Sequence, residues 1–126
     1  MADTVATATP DGRAAELAAL DDLAVAVDEN ARDERLLARS IRRLKAGRAK
    51  GRSWNDLLDA EQRPGALELV SRILRRIMEA SGSLRRAVAR GLRLEGATIP
   101  AIAALFGVSH QRISALLRRS DKSPPT

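Results

Sequence analysis

The chain has 126 residues and a formal net charge of +6, from 22 Lys and Arg against 16 Asp and Glu, and it contains no cysteine. The length gives room for about one domain, and the lack of cysteine excludes disulfides and thiolate metal sites. Trp54 and Phe106 are the aromatic residues, so a core must be built from Leu, Ile, Val and Ala, which favours an all-α fold over sheets.

The N-terminal residues 1–12 are small, polar and interrupted by proline, and we expect a disordered tail there. They contain Asp3 and lack the positively charged residues with which a signal peptide begins. The longest apolar run of the chain, around LAVAV, is only a handful of residues. The sequence therefore predicts neither a secretory signal nor a membrane span, and we expect a cytoplasmic protein.

Residues 13–52 form an acidic-to-basic segment with apolar residues at helical spacing on both sides of the polar stretch DENARDER. These residues are Leu17, Leu20, Ala24, Val27, Leu37, Ile41 and Leu44. The pattern predicts one long amphipathic helix or two helices that meet near Asp28 to Asn30, and the polar stretch favours two. Such a helix needs a surface to pack on. The surface can belong to the chain's own domain, to a second copy in a homodimer, which we favour, or to another protein bound through residues 13–46.

The charge is distributed unevenly along the chain. Residues 1–40 contain nine acidic and four basic side chains, whereas residues 41–126 contain eighteen basic and seven acidic ones. A basic segment of this kind favours a polyanionic partner, because Lys and Arg that neutralise phosphates release condensed counterions. A solvated Arg-rich surface is the alternative. The basic run at residues 42–52 is likewise open to different interpretations, a second phosphate contact or a minor-groove arm on the one hand and a solvated connector on the other.

The middle of the chain has clear helix start signals. Ser53 is placed to cap a short helix that contains Trp54, which we interpret as a core anchor rather than a base-stacking platform, because one aromatic cannot form an array. Pro64 can open the next helix. SGS at 81–83 predicts the end of that helix, and a further helix then stops near Gly96.

The segment GATIPAIAALFGVSHQRISALLRR, residues 96–119, contains two short helical runs joined by a tight turn. Thr98 is a plausible N-cap and Pro100 lies in the first turn, where its missing N–H costs nothing. Gly107 can take a positive φ and reverse the chain, and Ser109 can cap the next helix.

This segment resembles a DNA-binding helix-turn-helix, in the superfamily that includes resolvase C-terminal domains and region 4 of sigma factors. With its preceding helix the resemblance covers residues 84–119, and no family is identified for the first eighty residues. Seven positions carry an apolar residue, a small residue or glycine as the motif expects: Ile102, Ala103, Phe106, Gly107, Val108, Ile113 and Leu116. The resemblance implies that residues 109–119 form a recognition helix whose N-terminal end lies at the base edges of the major groove.

The residues at that end have suitable chemistry. Gln111 offers a paired donor and acceptor for adenine, and Arg112 can donate two bonds to guanine or one to phosphate. Ser109 is more typical of a helix cap than of a base contact. For His110 we favour half-buried packing beside Val108 over base contact. The residues predicted to bind DNA are Ser109, His110, Gln111, Arg112, Ser114, Arg118, Arg119, Arg85 and Arg86.

We expect an all-α protein whose helical DNA-binding domain, residues 53–120, ends in a helix-turn-helix at 98–119, followed by a disordered tail at 121–126. The expected function is sequence-specific binding of double-stranded DNA by a nucleoid-associated transcriptional regulator. A homodimer would set two recognition helices roughly 34 Å apart, the spacing of a palindromic site. The alternative is a protein-interaction partner of the transcription machinery, a sigma-like or adaptor module without DNA readout of its own.

Catalysis finds little support in the sequence. His110 is the single histidine, cysteine is absent, and no carboxylates cluster at ligand spacing, so no constellation for metal or nucleophilic chemistry is present. KAGRAKGRS at 45–53 does not match a phosphate-binding loop. We expect neither an enzyme nor a bound cofactor or metal.

Overall fold

The computed structural model describes residues 10–122. Within this range the chain is all helical and contains no strand, as the composition predicts. The five helices are α1 (Pro10–Ala49), α2 (Trp54–Asp59), α3 (Ala66–Leu94), α4 (Ile99–Phe106) and α5 (His110–Lys122). None of them combines the length and the apolar character needed to cross a membrane. The tails predicted at 1–12 and 121–126 are helical at residues 10–12 and 121–122, and their other residues lie outside the described range.

The first helix, α1, is a single helix of 40 residues, so the prediction of two helices meeting near Asp28 to Asn30 is wrong. The polar stretch does not interrupt the helix because Asn30 and Asp33 are buried, at 5% and 7% exposure, and hydrogen-bonded to α3. The predicted apolar face is also not the packed one, since Leu17 and Val27 are half exposed. Small and polar residues of α1 form the buried face instead.

The third helix, α3, continues through residues 81–83, where the sequence predicts a break. A glycine inside a helix costs about 1 kcal/mol relative to alanine, far less than a proline. Leu69 before the SGS stretch and Ala89 after it are both fully buried. Burial on both sides therefore outweighs the weak helix propensity of Gly82 and its two serines.

The chain divides into two compact units, and α1 and α3 each contribute to both. Within the described residues the first unit consists of residues 10–22 and 81–122. Its buried core is small and aliphatic, with partly buried apolar side chains around it. The fully enclosed members are Ala89, Ile102, Ala103 and Ile113. This core holds α4 and α5 against the C-terminal part of α3.

The second unit consists of residues 23–80. Leu57 of α2 is 2% exposed and lies against Gly47 of α1, where the missing side chain leaves room for it. Trp54 is 52% exposed, so its interpretation as a core anchor is wrong. A helix of six residues buries one face, and Leu57 occupies that face. The Trp54 ring instead lies 5.1 Å from the guanidinium carbon of Arg48, a cation–π contact at the surface.

Candidate nucleic-acid interface

Three residues separate α4 from α5, and a side-chain hydrogen bond caps the start of each of these two helices. Thr98 Oγ1 accepts from the Ala101 N–H at 3.2 Å at the start of α4, and Ser109 Oγ accepts from the Arg112 N–H at 3.2 Å at the start of α5. Gly107 ends α4 with φ 68° and ψ 34°, the left-handed conformation. These two caps and the positive φ of Gly107 are as the sequence predicts.

The core of the first unit fixes which side of α5 faces outward. Ile102 and Ile113 are fully buried, and Ala103 is 2% exposed. Phe106 and Val108 pack partly buried against this cluster. The small side chain of Ala103 leaves room for α5 to lie close to α4, which contacts it directly. The polar side of α5 is consequently held away from the core.

The outward side of α5 carries the residues that the sequence predicts to bind DNA. Ser109, His110, Gln111, Arg112 and Arg118 are exposed, and Ser114 is partly buried. His110 is exposed, so the preferred interpretation of it as a half-buried packing residue beside Val108 is wrong. Arg119 lies in α5, but its side chain is outside the part that the structure describes.

The C-terminal part of α3, in the same unit, contributes further arginines. Arg85 is exposed, and Arg86 is partly buried and donates to Ser83 Oγ at 3.5 Å. Arg93 is exposed and donates from Nη1 to the Ala97 carbonyl at 3.1 Å. This last bond holds the Arg93 side chain beside the start of α4.

An open groove of about 510 Å³ lies between the C-terminal part of α3 and α5. Three arginines and an apolar floor line it, with Ser114 at its side. Its lining residues are Arg90, Arg93, Leu94, Ile99, Ser114, Leu117 and Arg118. Arg90 and Arg93 are absent from the predicted contacts, although their spacing of three residues places them on one helix face and could have indicated the groove.

The charge of this unit is uneven, because residues 83–119 are strongly basic whereas the α1 part of the unit carries Glu16, Asp21 and Asp22 against Arg13, and the Glu16 carboxylate lies beside Gly91 of α3. Residues 83–119 contain seven arginines and one acidic residue, Glu95, and no acidic residue occurs between Gly96 and Arg119. The three arginines that line the groove favour an anion there.

No family model matches the sequence, and neither a curated protein nor a solved structure matches it. Within residues 10–122, no three His, Asp or Glu side chains lie close enough together to hold a metal ion.

Proposed function

We propose that the protein binds duplex DNA by inserting the N-terminal half of α5 into the major groove. The observation that carries the proposal is the exposure of Gln111 and Arg112 together on the first turn of a capped helix whose opposite side is anchored by Ile113. A helix held in this way by α4 and a three-residue turn supports the comparison with helix-turn-helix proteins, which read bases with that end of their second helix.

The side chains on this turn provide both kinds of contact that such an interface needs. The amide of Gln111 suits the N6 and N7 edge of adenine, and the Arg112 guanidinium suits the O6 and N7 edge of guanine. Arg118, with Arg90 and Arg93 across the groove, is suited to phosphates, which set orientation without reading sequence. Arg85 on the preceding helix extends the same basic surface.

In this proposal the protein is a nucleoid-associated transcriptional regulator of the cytoplasm and acts as a homodimer. Two copies related by a two-fold axis would present two α5 helices one turn of DNA apart, roughly 34 Å, so that the target is a palindrome. One recognition helix alone covers few base pairs, and pairing supplies the additional specificity.

A second candidate, docking on another protein, is favoured by a specific feature of α1. Leu17, Leu20, Val27 and Ile41 are each about half exposed, and all four lie within residues 13–46. Exposed aliphatic side chains at such spacing are typical of helices that bind a protein partner. In that case the arginines of the first unit would be a solvated surface, and duplex affinity at physiological salt would be negligible.

Selection of bound fragments from a pool of random duplexes, with the full chain and at several salt concentrations, tests the proposal. We expect enrichment of a symmetric sequence, together with an affinity that falls steeply as salt rises. The variant Gln111→Ala with Arg112→Ala serves as the control, since it should retain salt-dependent binding and lose the enrichment. Absence of binding at physiological salt by the unmodified chain would reject the proposal in favour of protein docking.

A further inference from the structure

One side of α3 in the second unit exposes a contiguous row of large apolar side chains. Leu67, Val70, Leu74 and Met78 are 70%, 40%, 55% and 70% exposed, and their spacing of three, four and four residues places them along one line. Leu69, on the opposite side of the same helix, is fully buried. Monomeric proteins seldom expose a continuous apolar stripe of this kind unless it binds a partner.

The charges beside this stripe favour a second copy of the same helix. Glu68 and Arg75 lie seven residues, two helical turns, apart and on the same side of the stripe. On the other side Ile77 is partly buried, and Ala66 belongs to the core at 5% exposure. Consider a two-fold antiparallel pair centred at the level of Arg72. Each residue then faces a residue of the second copy, and the two residue numbers sum to about 144. Val70 then meets Leu74 of the second copy, and Glu68 meets its Arg75.

A parallel pair fits the same surface poorly. Its two-fold axis runs along the helices and brings the charged side of one stripe against the apolar side of the other. Arg75 would then face the partly buried Ile77 of the second copy, with no carboxylate opposite it to offset the desolvation of its charge, whereas Glu68 keeps its ion pair with Arg63 at 3.3 Å. The antiparallel arrangement instead places opposite charges together at both ends of the apolar contact.

The exposed residues of α1 in this unit form a weaker surface. Val25, Val27 and Ile41 are about half exposed and Leu36 is 39% exposed, but Val27 and Ile41, which share one line of the helix, are fourteen residues apart. The helical positions between them on that line hold Ala31, Glu34 and Ala38. The stripe on α3 has four large side chains within twelve residues and is the more continuous of the two.

We propose that the stripe Leu67, Val70, Leu74 and Met78 is the self-association surface of this protein, pairing α3 with α3 of a second copy in antiparallel orientation. This inference supplies the surface for the dimer of the proposed function. Both of its tests are made without DNA, so that pairing and DNA binding can fail separately. A monomer that binds duplex DNA overturns the pairing alone, whereas a dimer that binds none overturns the DNA proposal alone.

Sedimentation equilibrium of the full chain measures the pairing directly. We expect a concentration-dependent dimer, and Leu74→Glu should weaken it at least tenfold because the two-fold axis places the carboxylate in the contact twice. Leu105→Glu is the matched control, since Leu105 of α4 is 71% exposed and outside the stripe. Circular dichroism verifies that each variant remains helical. A wild-type chain that stays monomeric up to millimolar concentration overturns the proposal, and so does a dimer that Val27→Glu dissociates and Leu74→Glu does not.

Oxidative cross-linking tests the antiparallel orientation, because the natural chain has no cysteine. Ser71→Cys lies one residue from the centre of the pair, so two copies should form a disulfide. Met78→Cys lies six residues from the centre, and its two copies would be about 18 Å apart along the helices at 1.5 Å per residue, beyond the roughly 7 Å limit of a disulfide. It should cross-link to Leu67→Cys in a mixture instead. Self-linking of Met78→Cys as fast as that of Ser71→Cys overturns the antiparallel pair.

Discussion

The carboxylate of Asp33 accepts two hydrogen bonds from the guanidinium of Arg72, at 2.9 and 3.1 Å, although Asp33 is only 7% exposed. Arg76 donates to the same carboxylate at 2.9 Å and to Asn30 Oδ1 at 2.6 Å, and Asn30 Nδ2 donates to the Ile73 carbonyl at 3.1 Å. A slip of α1 along α3 would leave these groups without partners. The network therefore fixes which residues of the two helices face each other in the second unit.

This network predicts a pH dependence of stability. The hydrogen bond from Arg72, aided by Arg76, lowers the pKa of Asp33 below its ordinary value, against the opposing effect of burial. A carboxyl whose pKa is lower in the folded state stabilises the fold fully above its unfolded pKa, about 4, and that contribution is lost as pH falls through the folded pKa. The free energy of unfolding by urea should therefore fall on acidification more steeply for the wild type than for Asp33→Asn.

The control for this measurement is Asp22→Asn, which removes an exposed carboxylate from the same helix. It should retain the acid sensitivity of the wild type. Equal slopes of stability against pH for the wild type and Asp33→Asn would contradict the role assigned to the network.

The proposed DNA interface predicts two different outcomes for two pairs of substitutions. Gln111→Ala with Arg112→Ala should reduce discrimination between a selected site and random duplex by about 1–3 kcal/mol for each base that is no longer read. Arg85→Ala with Arg86→Ala should weaken binding to all sequences together and flatten the dependence on salt by about one unit per phosphate contact. Fluorescence anisotropy titrations at several salt concentrations measure both quantities.

Each pair is the control for the other, since both remove arginine charge from the first unit. Equal losses of affinity for selected and random DNA in both variants would remove the assignment of readout to α5, while leaving electrostatic binding in place.

The sequence was sufficient to predict those structural features that depend on neighbouring residues. The caps at Thr98 and Ser109 and the turn at Gly107 depend on a few neighbouring backbone groups, so residue type alone predicts them. The burial of Ile102 and Ile113 follows from spacing within two short helices. For the same reason the exposed position of Gln111 and Arg112 could be predicted from the sequence.

The sequence was insufficient to predict which side chains are buried by contact with a segment that is distant in the chain. The pattern of α1 favours Leu17 and Val27 as the packed face, but partners on α3 bury Asn30 and Asp33 instead. These partners lie about forty residues away in the chain, and helical periodicity holds no information about them. Trp54 shows the same limit, because the gap left by Gly47 is filled by Leu57 and the larger indole remains outside.

The turn between α4 and α5 predicts a ranking of substitutions at Gly107. Its φ is 68°, and an added Cβ would meet no heavy atom within 4 Å, so the cost of a side chain there is backbone strain alone. Gly107→Ala should lower the free energy of unfolding by about 1 kcal/mol, and the β-branched Gly107→Val by more. Gly107→Asn should cost less than Ala, because Asn tolerates the left-handed region. Urea unfolding followed by circular dichroism measures the ranking, and equal costs for Ala and Asn would exclude strain as the cause.

Gly82 and Gly47 both lie inside long helices, yet replacement by alanine should have opposite effects at the two positions. At Gly82 the nearest heavy atom to an added Cβ is Arg86 Nη1 at 3.5 Å, an ordinary contact with a flexible side chain. Gly82→Ala should stabilise the protein by about 0.5–1 kcal/mol, because alanine loses less backbone entropy in a helix. At Gly47 an added Cβ would overlap Cδ2 of the buried Leu57, and overpacking should destabilise by about 1–3 kcal/mol despite the better helix propensity.

A double-mutant cycle separates the clash at Gly47 from any other effect of the substitution. Leu57→Ala alone should be destabilising, since Leu57 is only 2% exposed and its removal leaves a cavity. Gly47→Ala added to Leu57→Ala should then cost nothing or give a small gain, because the overlapping methyl is gone and the space is refilled. Urea unfolding of the four proteins measures the coupling. Additive effects would show that Leu57 does not occupy the space above Gly47, and would contradict the packing that excludes Trp54 from the core of the second unit.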